Sequence, residues 1–321
     1  MLIASPNIGF DHTARLDELR PGHVLRFTSV TVTAGGKGVN VARAARDLGC
    51  PARLVGFAAG RTGSAAIDHL LDEGIPVVGV PIAGEARVNT IVLEESGRVT
   101  VMNEPGPSIG EAEWRSFEEA IATHLQEHQV FVAIGSLPPG APADAYARLV
   151  HLASAVGLTT IVDASGQTLA MALSAHPDIV TPNLFEAEAL VRGAVDERVE
   201  VGEVDVRERA LEAAKRLREL GAVAALVTAG SAGVALASAD ASGWVTAPMV
   251  TVRNPIGAGD AFVAGLASAL ERGRAIQEAV LEAVAAGAAS VETPLAGHLD
   301  PDRARALLGG LSLQIDQREA P

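Results

Sequence analysis

The sequence predicts an α/β fold built on a mostly parallel sheet. Short apolar runs of strand length alternate along the chain with runs of helical periodicity, as strands joined by crossover helices require. Two glycine clusters each lead into a helical run, one near the start of the chain and one near its end. Hydrophobic residues form 48% of the 321-residue chain, which is enough for one large core. We therefore expect residues 1–321 to form a single domain.

The order of these runs assigns the strands and helices. Residues 1–6 lack the basic start and long apolar stretch of a signal peptide, so they predict a first strand. The strand and helix pairs that follow are Arg53–Gly56 with Ala65–Leu71, Val130–Ile134 with Ala143–Leu152, and Thr159–Val162 with Leu169–Leu173. Leu220–Ala239 carries no charge, but the turn Gly230–Gly233 divides it into two buried strands, which disfavours a membrane helix.

The glycine cluster near the end of the chain is the most informative feature. Phe262, Leu266 and Ala269 share one face of a helix whose first turn is Gly257–Asp260. The free N–H groups of that turn favour a bound anion, and glycine lets the anion approach closely. A carboxylate beside a phosphate can take a proton from an attacking hydroxyl group, so the segment indicates phosphoryl transfer. Taken alone, it leaves open that Asp260 only complements the helix dipole.

The glycine cluster near the start of the chain belongs to neither of the two common nucleotide motifs. Gly35–Asn40 precedes the helical run Val41–Leu48, and we expect a loop that enters a helix. Lys37 is followed by glycine, where a Walker A loop has serine or threonine. The first strand is not followed by the GxGxxG pattern of a dinucleotide-binding fold.

Together, the segments Gly35–Ala42 and Gly257–Asp260 resemble the two signatures of the ribokinase-type (PfkB) carbohydrate kinases. Further segments resemble the branch of that family with 1-phosphofructokinase, tagatose-6-phosphate kinase and the minor 6-phosphofructokinase; these are Pro6–Asp11, Arg87–Asn89, Asn103–Pro107, Gly135–Gly140, Asp163–Gly166 and Pro182–Glu186. The resemblance covers nearly the whole chain. It implies a ribokinase-like three-layer α/β/α domain with a mostly parallel sheet and a small β-sheet lid over the sugar.

Two regions interrupt the alternation of strands and helices, and the resemblance places both in the lid. The lid would comprise approximately residues 12–34 and 87–105. Within the second region, Asn89–Met102 predicts a hairpin with Ser96 and Gly97 at its turn. Lids of this family often mediate dimerisation, so the resemblance also implies a homodimer through the lid.

The resemblance implies a role for each matching residue. The catalytic base and its anion hole would be Asp260 with Gly257, Ala258 and Gly259. Residues that hold the sugar would be Asp11, Gly36 and Asn40. Residues that hold a phosphate already present on the substrate would be Lys37, Arg87 and Ser136. The nucleotide side would comprise Asn183, Glu186, Thr228, Gly230 and Gly233, with Glu186 reaching Mg²⁺ through water.

The implied activity is that of an ATP- and Mg²⁺-dependent kinase of a phosphorylated ketohexose. Conversion of fructose 1-phosphate to fructose 1,6-bisphosphate ranks first, with tagatose 6-phosphate and fructose 6-phosphate as the next acceptors. A kinase of an unphosphorylated sugar or nucleoside stays open, although Lys37, Arg87 and Ser136 speak against it. A catalytically silent sugar-phosphate sensor also stays open, because the chain departs from the family pattern twice. Pro255 stands near the anion hole where the family has a hydroxyl group, and Thr181 stands where the branch has lysine.

Composition restricts the partners. A formal net charge of −14 argues against a nucleic-acid surface. The single cysteine, Cys50, excludes an intrachain disulfide and is compatible with a reducing compartment, so we expect a cytoplasmic protein without a membrane partner. The acidic segment 196–203 predicts an exposed loop.

Overall fold

The computed structural model describes residues 1–192 and 205–315, and the acidic segment 196–203 lies outside them. The strands are β1 Leu2–Ala4, β2 Gly9–Leu16, β3 Ser29–Gly35, β4 Arg53–Ala59, β5 Val77–Ile82, β6 Val88–Glu94, β7 Val99–Met102, β8 Val130–Ile134, β9 Thr159–Asp163, β10 Ile179–Val180, β11 Ala224–Thr228, β12 Gly233–Ala237, β13 Ser242–Thr246 and β14 Gln314–Ile315. The helices are α1 Lys37–Asp47, α2 Gly60–Asp72, α3 Glu111–His124, α4 Ala145–Ser154, α5 Gly166–Leu173, α6 Leu184–Arg192, α7 Val206–Glu219, α8 Ala258–Glu271, α9 Ile276–Ser290 and α10 Pro301–Leu308.

The large sheet has the strand order β14-β13-β12-β11-β10-β9-β8-β1-β4-β5 within the described part of the chain. Strands β11, β10, β9, β8, β1, β4 and β5 pair in parallel with their neighbours in this order. Strands β12, β13 and β14 add an antiparallel edge beside β11. The uncharged stretch 220–239 forms the two predicted strands, β11 and β12, and these pair in antiparallel orientation. No helix in the described ranges is both long enough and apolar enough to cross a bilayer.

Helices cover both faces of this sheet, so the predicted three-layer α/β/α class is confirmed. Successive residues of β1 point into opposite cores, because side chains of a strand alternate between its faces. Leu2 and Ala4 pack in the core beneath α3, α4, α5 and α7, which contains Trp114. Ile3 packs in the second core, beneath α1, α2, α8 and α9.

The small sheet has the strand order β3-β2-β6-β7. Strands β6 and β7 form the predicted hairpin, with Gly97 in a left-handed conformation at its turn. Parallel pairing of β2 with β6 places Asp11 beside Asn89, and antiparallel pairing with β3 places Asp11 beside Thr33. One face of the small sheet therefore carries a row of polar side chains next to the large sheet.

Helix α8 packs closely against α9. A Cβ atom on Gly265 of α8 would lie 2.9 Å from Cα of Ala283 and 2.8 Å from Cβ of Ala286. Gly287 of α9 faces the first turn of α8, where its Cβ would lie 3.1 Å from the carbonyl oxygen of Ala258. These small residues let the two helices approach, so α9 fixes the position of the α8 N-terminus.

The first helix begins earlier than its sequence indicates. We expected Gly35–Asn40 to form a loop, but α1 begins at Lys37 with Gly36 as its N-cap. Glycine lowers helix propensity and adds no apolar side chain to a periodic pattern, so the sequence pattern did not indicate this helix start. Tertiary packing compensates, since Gly38, Val39 and Asn40 are buried.

Candidate active site

A cleft of about 680 Å³ lies between the carboxyl ends of the parallel strands and the polar face of the small sheet. The predicted site residues that line it are Asp11, Gly36, Lys37, Asn40, Arg87, Ser136, Asn183, Glu186, Thr228, Gly257, Ala258, Gly259 and Asp260. Gly230 and Gly233 lie outside this lining; Gly230 is in the turn between β11 and β12, and Gly233 begins β12. The fold thus brings both ends of the chain to the strand ends where α/β proteins bind ligands.

The segment predicted to form an anion hole lies at the N-terminus of α8. Gly257 is its N-cap with φ 84°, a conformation that glycine adopts readily. Asn254, which is buried, shapes the preceding loop: its Oδ1 accepts from the backbone N–H of Ile256 at 3.0 Å, and its Nδ2 donates to the carbonyl oxygen of Pro294 at 3.2 Å. The N–H groups of the first turn are therefore available to an anion.

Asp260 lies in the first turn of α8 and is only 7% exposed. Asn40 of α1 donates from Nδ2 to its Oδ2 at 2.8 Å. Burial raises the pKa of Asp260 to about 7, although the charge of Lys37 and the bond from Asn40 act in the opposite direction. A carboxylate with a pKa near neutrality is suited to accept a proton and to release it again.

The N-terminus of α1 carries a cation. Nζ of Lys37 lies 2.7 Å from Oδ1 of Asp163, whose other oxygen accepts from the hydroxyl group of Thr181 at 3.1 Å. Burial opposes the charge of Lys37, but Asp163, followed by Glu186 and Asp260, outweighs it and raises the pKa of the ammonium group. Lys37 thus remains charged between the three carboxylates of the cleft.

The small sheet supplies a second set of polar groups. Nδ2 of Asn89 donates to Oδ1 of Asp11 at 2.8 Å. A Cβ atom on Gly35 would lie 2.2 Å from Cγ of Asp11, so glycine is required where β3 passes this carboxylate. Asp11 is thereby held at the cleft wall, where a carboxylate can accept hydrogen bonds from hydroxyl groups of a ligand.

Arg87 and Ser136 meet at the same end of the cleft. Nη1 of Arg87 donates to Oγ of Ser136 at 3.2 Å. Burial lowers the pKa of the Arg87 guanidinium group, and the charge of Asp11 opposes this shift. Lys37 lies beside the same loop, since a Cβ atom on Gly135 would be 3.7 Å from its Cβ. Two cations and a hydroxyl group therefore border one end of the cleft.

Asn183 and Glu186 begin α6 as a reciprocal pair. The N–H of Asn183 donates to Oε2 of Glu186, and the N–H of Glu186 donates to Oδ1 of Asn183, both at 2.9 Å. Asn183 also bridges to Thr228 at the end of β11. No group of three or more His, Cys, Asp or Glu residues within residues 1–192 and 205–315 could hold a metal ion.

Three polar residues of the site had no role in the sequence prediction. Asp163 pairs with Lys37, Asn89 with Asp11, and Asn7 with Ser136. A signal existed for Asp163, because it directly follows the predicted strand Thr159–Val162, and the carboxyl ends of parallel strands meet at one edge. The other two depend on contacts across the fold.

A buried carboxylate beside the free N–H groups of a helix start suits the transfer of a phosphoryl group to an alcohol. Comparison with known proteins identifies the family to which the chain belongs. The profile of the pfkB family carbohydrate kinases matches residues 6–303. The chain belongs to this family, and it is a carbohydrate kinase.

Individual relatives agree with this membership. The tagatose-6-phosphate kinase of Staphylococcus epidermidis is 30% identical over 306 residues, which cover 94% of this chain and 96% of that protein. The structure of phosphofructokinase-2 from Escherichia coli in complex with fructose-6-phosphate superposes with a TM-score of 0.82 at 29% identity, covering 97% of this chain and 98% of that chain. Ribokinase from Arabidopsis thaliana, with a TM-score of 0.72 at 21% identity over 96% and 98% of the two chains, shows the shared fold.

Proposed function

We propose that this carbohydrate kinase transfers the γ-phosphate of ATP to a phosphorylated ketohexose, with fructose 1-phosphate as the first candidate acceptor and fructose 1,6-bisphosphate as its product. One observation carries the proposal: the cleft that contains Asp260 also contains the cationic end formed by Arg87 and Lys37. An acidic protein, with a net charge of −14, gathers these cations where an anionic acceptor is to be held.

Asp260 would accept the proton of the acceptor hydroxyl group as that oxygen attacks phosphorus. Asn40 holds one carboxylate oxygen, and the other has no hydrogen-bond partner among the described residues. The N–H groups of Ala258 and Gly259 would face the negative charge of the transferring group. Asp11 would position the acceptor through its hydroxyl groups.

Arg87, Lys37 and Ser136 would hold the phosphate that the acceptor already carries. A guanidinium group offers a planar fork of donors and an ammonium group a point charge, which together suit a dianion. The relatives are named for tagatose 6-phosphate or were solved with fructose-6-phosphate, so both sugar phosphates are alternative acceptors.

Asn183, Glu186 and Thr228 would border the nucleotide, with Gly230 and Gly233 shaping the adjacent turn. Mg²⁺ on the nucleotide phosphates would neutralise their charge, and Glu186 would hold it through water. Thr181, which replaces a lysine of the branch, donates to Asp163, so the site lacks that cation. This departure and Pro255 favour the alternative of a silent sensor, whereas Asp260 with its raised pKa favours the kinase.

A coupled assay of ADP release tests the proposal. Fructose 1-phosphate, fructose 6-phosphate, tagatose 6-phosphate, fructose and common nucleosides would each be supplied with Mg-ATP. We expect turnover with at least one ketohexose phosphate at a kcat/KM far above that of its parent sugar. Turnover confined to unphosphorylated sugars or nucleosides would contradict the acceptor, and sugar-phosphate binding without turnover would favour the sensor.

We also propose that the small sheet is both a lid over the acceptor and the contact of a homodimer. Strand β3, at the edge of this sheet, exposes Val30 and Val32, and the connection between β2 and β3 exposes Val24 and Phe27, with exposed fractions of 50%, 46%, 87% and 51%. Contact with a second chain would cover these apolar side chains. Sedimentation equilibrium should give twice the chain mass, and Val30→Glu with Val32→Glu should give a monomer. A wild-type chain that sediments as a monomer would overturn the dimer.

A further inference from the structure

Asn7, between β1 and β2, lies directly behind Ser136 and is only 4% exposed. Its Nδ2 donates to Oγ of Ser136 at 3.2 Å and to the carbonyl oxygen of Pro105 at 3.1 Å. A carbonyl oxygen can only accept, so the amide must turn its NH₂ group toward Pro105 and Ser136. Gly106 abuts the other side of the amide, since its Cβ would lie 2.4 Å from Oδ1 of Asn7.

The hydroxyl group of Ser136 accepts two hydrogen bonds in this arrangement. The second donor is Nη1 of Arg87, at 3.2 Å. A hydroxyl group has two acceptor lone pairs and one proton, so both lone pairs of Ser136 are occupied. Within the described ranges of the chain, Oγ of Ser136 has no acceptor for its own proton, and Ser136 lines the cleft. Ser136 therefore offers the cleft an O–H donor and no lone pair.

The two cationic side chains beside Ser136, Arg87 and Lys37, also only donate. Guanidinium and ammonium groups have no acceptor, and Nε of Arg87 is buried without a partner within the described residues. A ligand group that bonds to Ser136, Arg87 and Lys37 must therefore supply acceptors. A phosphate dianion presents acceptor oxygens alone, whereas a sugar hydroxyl group brings a proton that finds no lone pair on Ser136, Arg87 or Lys37.

We propose that Asn7 is a positioning residue that sets specificity for a phosphorylated acceptor, because its amide makes Ser136 a donor only. The identity of the bound anion as a substrate phosphate rests on the proposed function. Asn7 itself acts through Ser136, and its second bond, to Pro105, ties that orientation to the segment that follows β7.

Asn7→Asp tests the proposal with little change of shape. The new carboxylate cannot donate, so the Ser136 proton would turn toward it and away from the cleft. The measured quantity is the ratio of kcat/KM for fructose 1-phosphate, fructose 6-phosphate and tagatose 6-phosphate to that for the parent sugar. We expect Asn7→Asp to lower this ratio roughly tenfold to hundredfold, as Ser136→Ala should, with the KM for ATP nearly unchanged.

Two further variants separate positioning from charge and from folding. Asn103→Asp adds the same charge at an exposed position of the cleft wall, without a bond to Ser136. Asn7→Ala removes the donor without adding charge, and we expect a smaller loss in the ratio. In a Ser136→Ala background, Asn7→Asp should lower the ratio of kcat/KM values no more than Asn103→Asp does, since the hydroxyl group on which Asn7 acts has been removed.

A ratio that Asn7→Asp leaves unchanged, or a full additional loss in the Ser136→Ala background, would overturn the role of Asn7 and leave the proposed function standing. Equal losses for phosphorylated and parent sugars with a lowered Tm would show that Asn7 only stabilises the fold. If the wild-type chain has the same kcat/KM for the phosphorylated sugars as for the parent sugar, the proposed function and this inference would both be overturned.

Discussion

The two helix starts that meet in the cleft use the same backbone device and carry opposite charges. α1 and α8 each follow a glycine of positive φ, 122° at Gly36 and 84° at Gly257, and neither has a side-chain cap. The α8 start carries the carboxylate of Asp260, which a helix dipole favours, and the α1 start carries the ammonium group of Lys37, which it disfavours. Lys37 accordingly has a carboxylate partner from outside the helix, Asp163.

The two helix starts differ in whether their charge changes with pH. The α1 start holds a charge that is permanent at physiological pH, because its pKa is raised further from neutrality. The α8 start holds a charge that changes by one proton near a pH of about 7. Asn40 of α1 bonds to Asp260 of α8, so α1 also positions the proposed base.

The largest effect should come from removing the base of the α8 start. Asp260→Asn keeps the shape of the side chain and loses its ability to accept a proton, so kcat should fall roughly 10²- to 10⁴-fold. Binding of ATP and of the sugar phosphate, measured by calorimetry, should persist. Asp240→Asn, in the exposed turn between β12 and β13, is the matched control. Near-normal turnover of Asp260→Asn would contradict its assignment.

The next effect should come from the cationic side of the cleft. Nη2 of Arg87 approaches the α1 start, 3.8 Å from the position of a Cβ on Gly36. Arg87→Ala should raise the KM for the sugar phosphate roughly tenfold to hundredfold, the value of a charge-assisted contact of about 1.5–3 kcal/mol. The KM for ATP should change little.

The control for this variant is Arg115→Ala, an exposed arginine on α3 outside the cleft. Equal weakening of both ligands in Arg87→Ala would show that this end of the cleft does not select the acceptor.

A pH profile sharpens the difference between the two charges. Because a base must be ionised, kcat/KM should fall on the acidic side of a pH of about 7, the pKa of Asp260. The charge of Lys37 lowers that pKa, so Lys37→Met should move the midpoint to higher pH. A midpoint that stays in place would show that the two helix starts are not electrically coupled.

A further expected effect is on stability. The folded pKa of Asp260, about 7, exceeds the ordinary aspartate value of 3.8, so folding stability linked to this group is full below pH 3.8 and is lost as pH rises to about 7. Asparagine does not titrate, so Asp260→Asn should not lose stability over this pH range. The Tm of Asp260→Asn minus that of the wild type should therefore grow from pH 4 to pH 7 and then level off. A difference in Tm that stays constant with pH would contradict the burial of the charge.

The smallest effects should be changes in hydrogen exchange. Sugar phosphate should protect Asn89–Met102, if the small sheet closes as a lid, and Mg-ATP should chiefly protect Thr228–Gly233 and the Gly257–Gly259 turn. Two ligands should thus leave two footprints. A sugar footprint without a nucleotide footprint, and without turnover, would favour the sensor.

Local signals in the sequence predicted most of the fold. Strand and helix periods located the β8 and α8 elements, because each depends on residues close in the chain. The start of α1 could not be read in this way, because packing against α8 overrides the low helix propensity of its glycines.

In the candidate site too, the sequence predicted some residues, and only the structure revealed others. Glycine clusters pointed to both helix starts, and the family signatures pointed to the residues around them. The partners of those residues come from distant segments: Asn7 and Ser136 are 129 positions apart, and Lys37 and Asp163 are 126 apart. No local pattern encodes such pairs, so the hydrogen-bond network around each predicted residue needed the structure.

The close packing of α8 on α9 has a consequence for engineering. Gly265 leaves no room for a side chain and Gly287 leaves little, so the end of the cleft that contains Asp260 rests on a contact that tolerates little change. The acceptor end rests on strands and loops, whose side chains can vary without moving that helix. Libraries that seek new acceptors should therefore randomise the small sheet and spare the α8 and α9 contact, where substitutions would erode catalysis before they altered substrate choice.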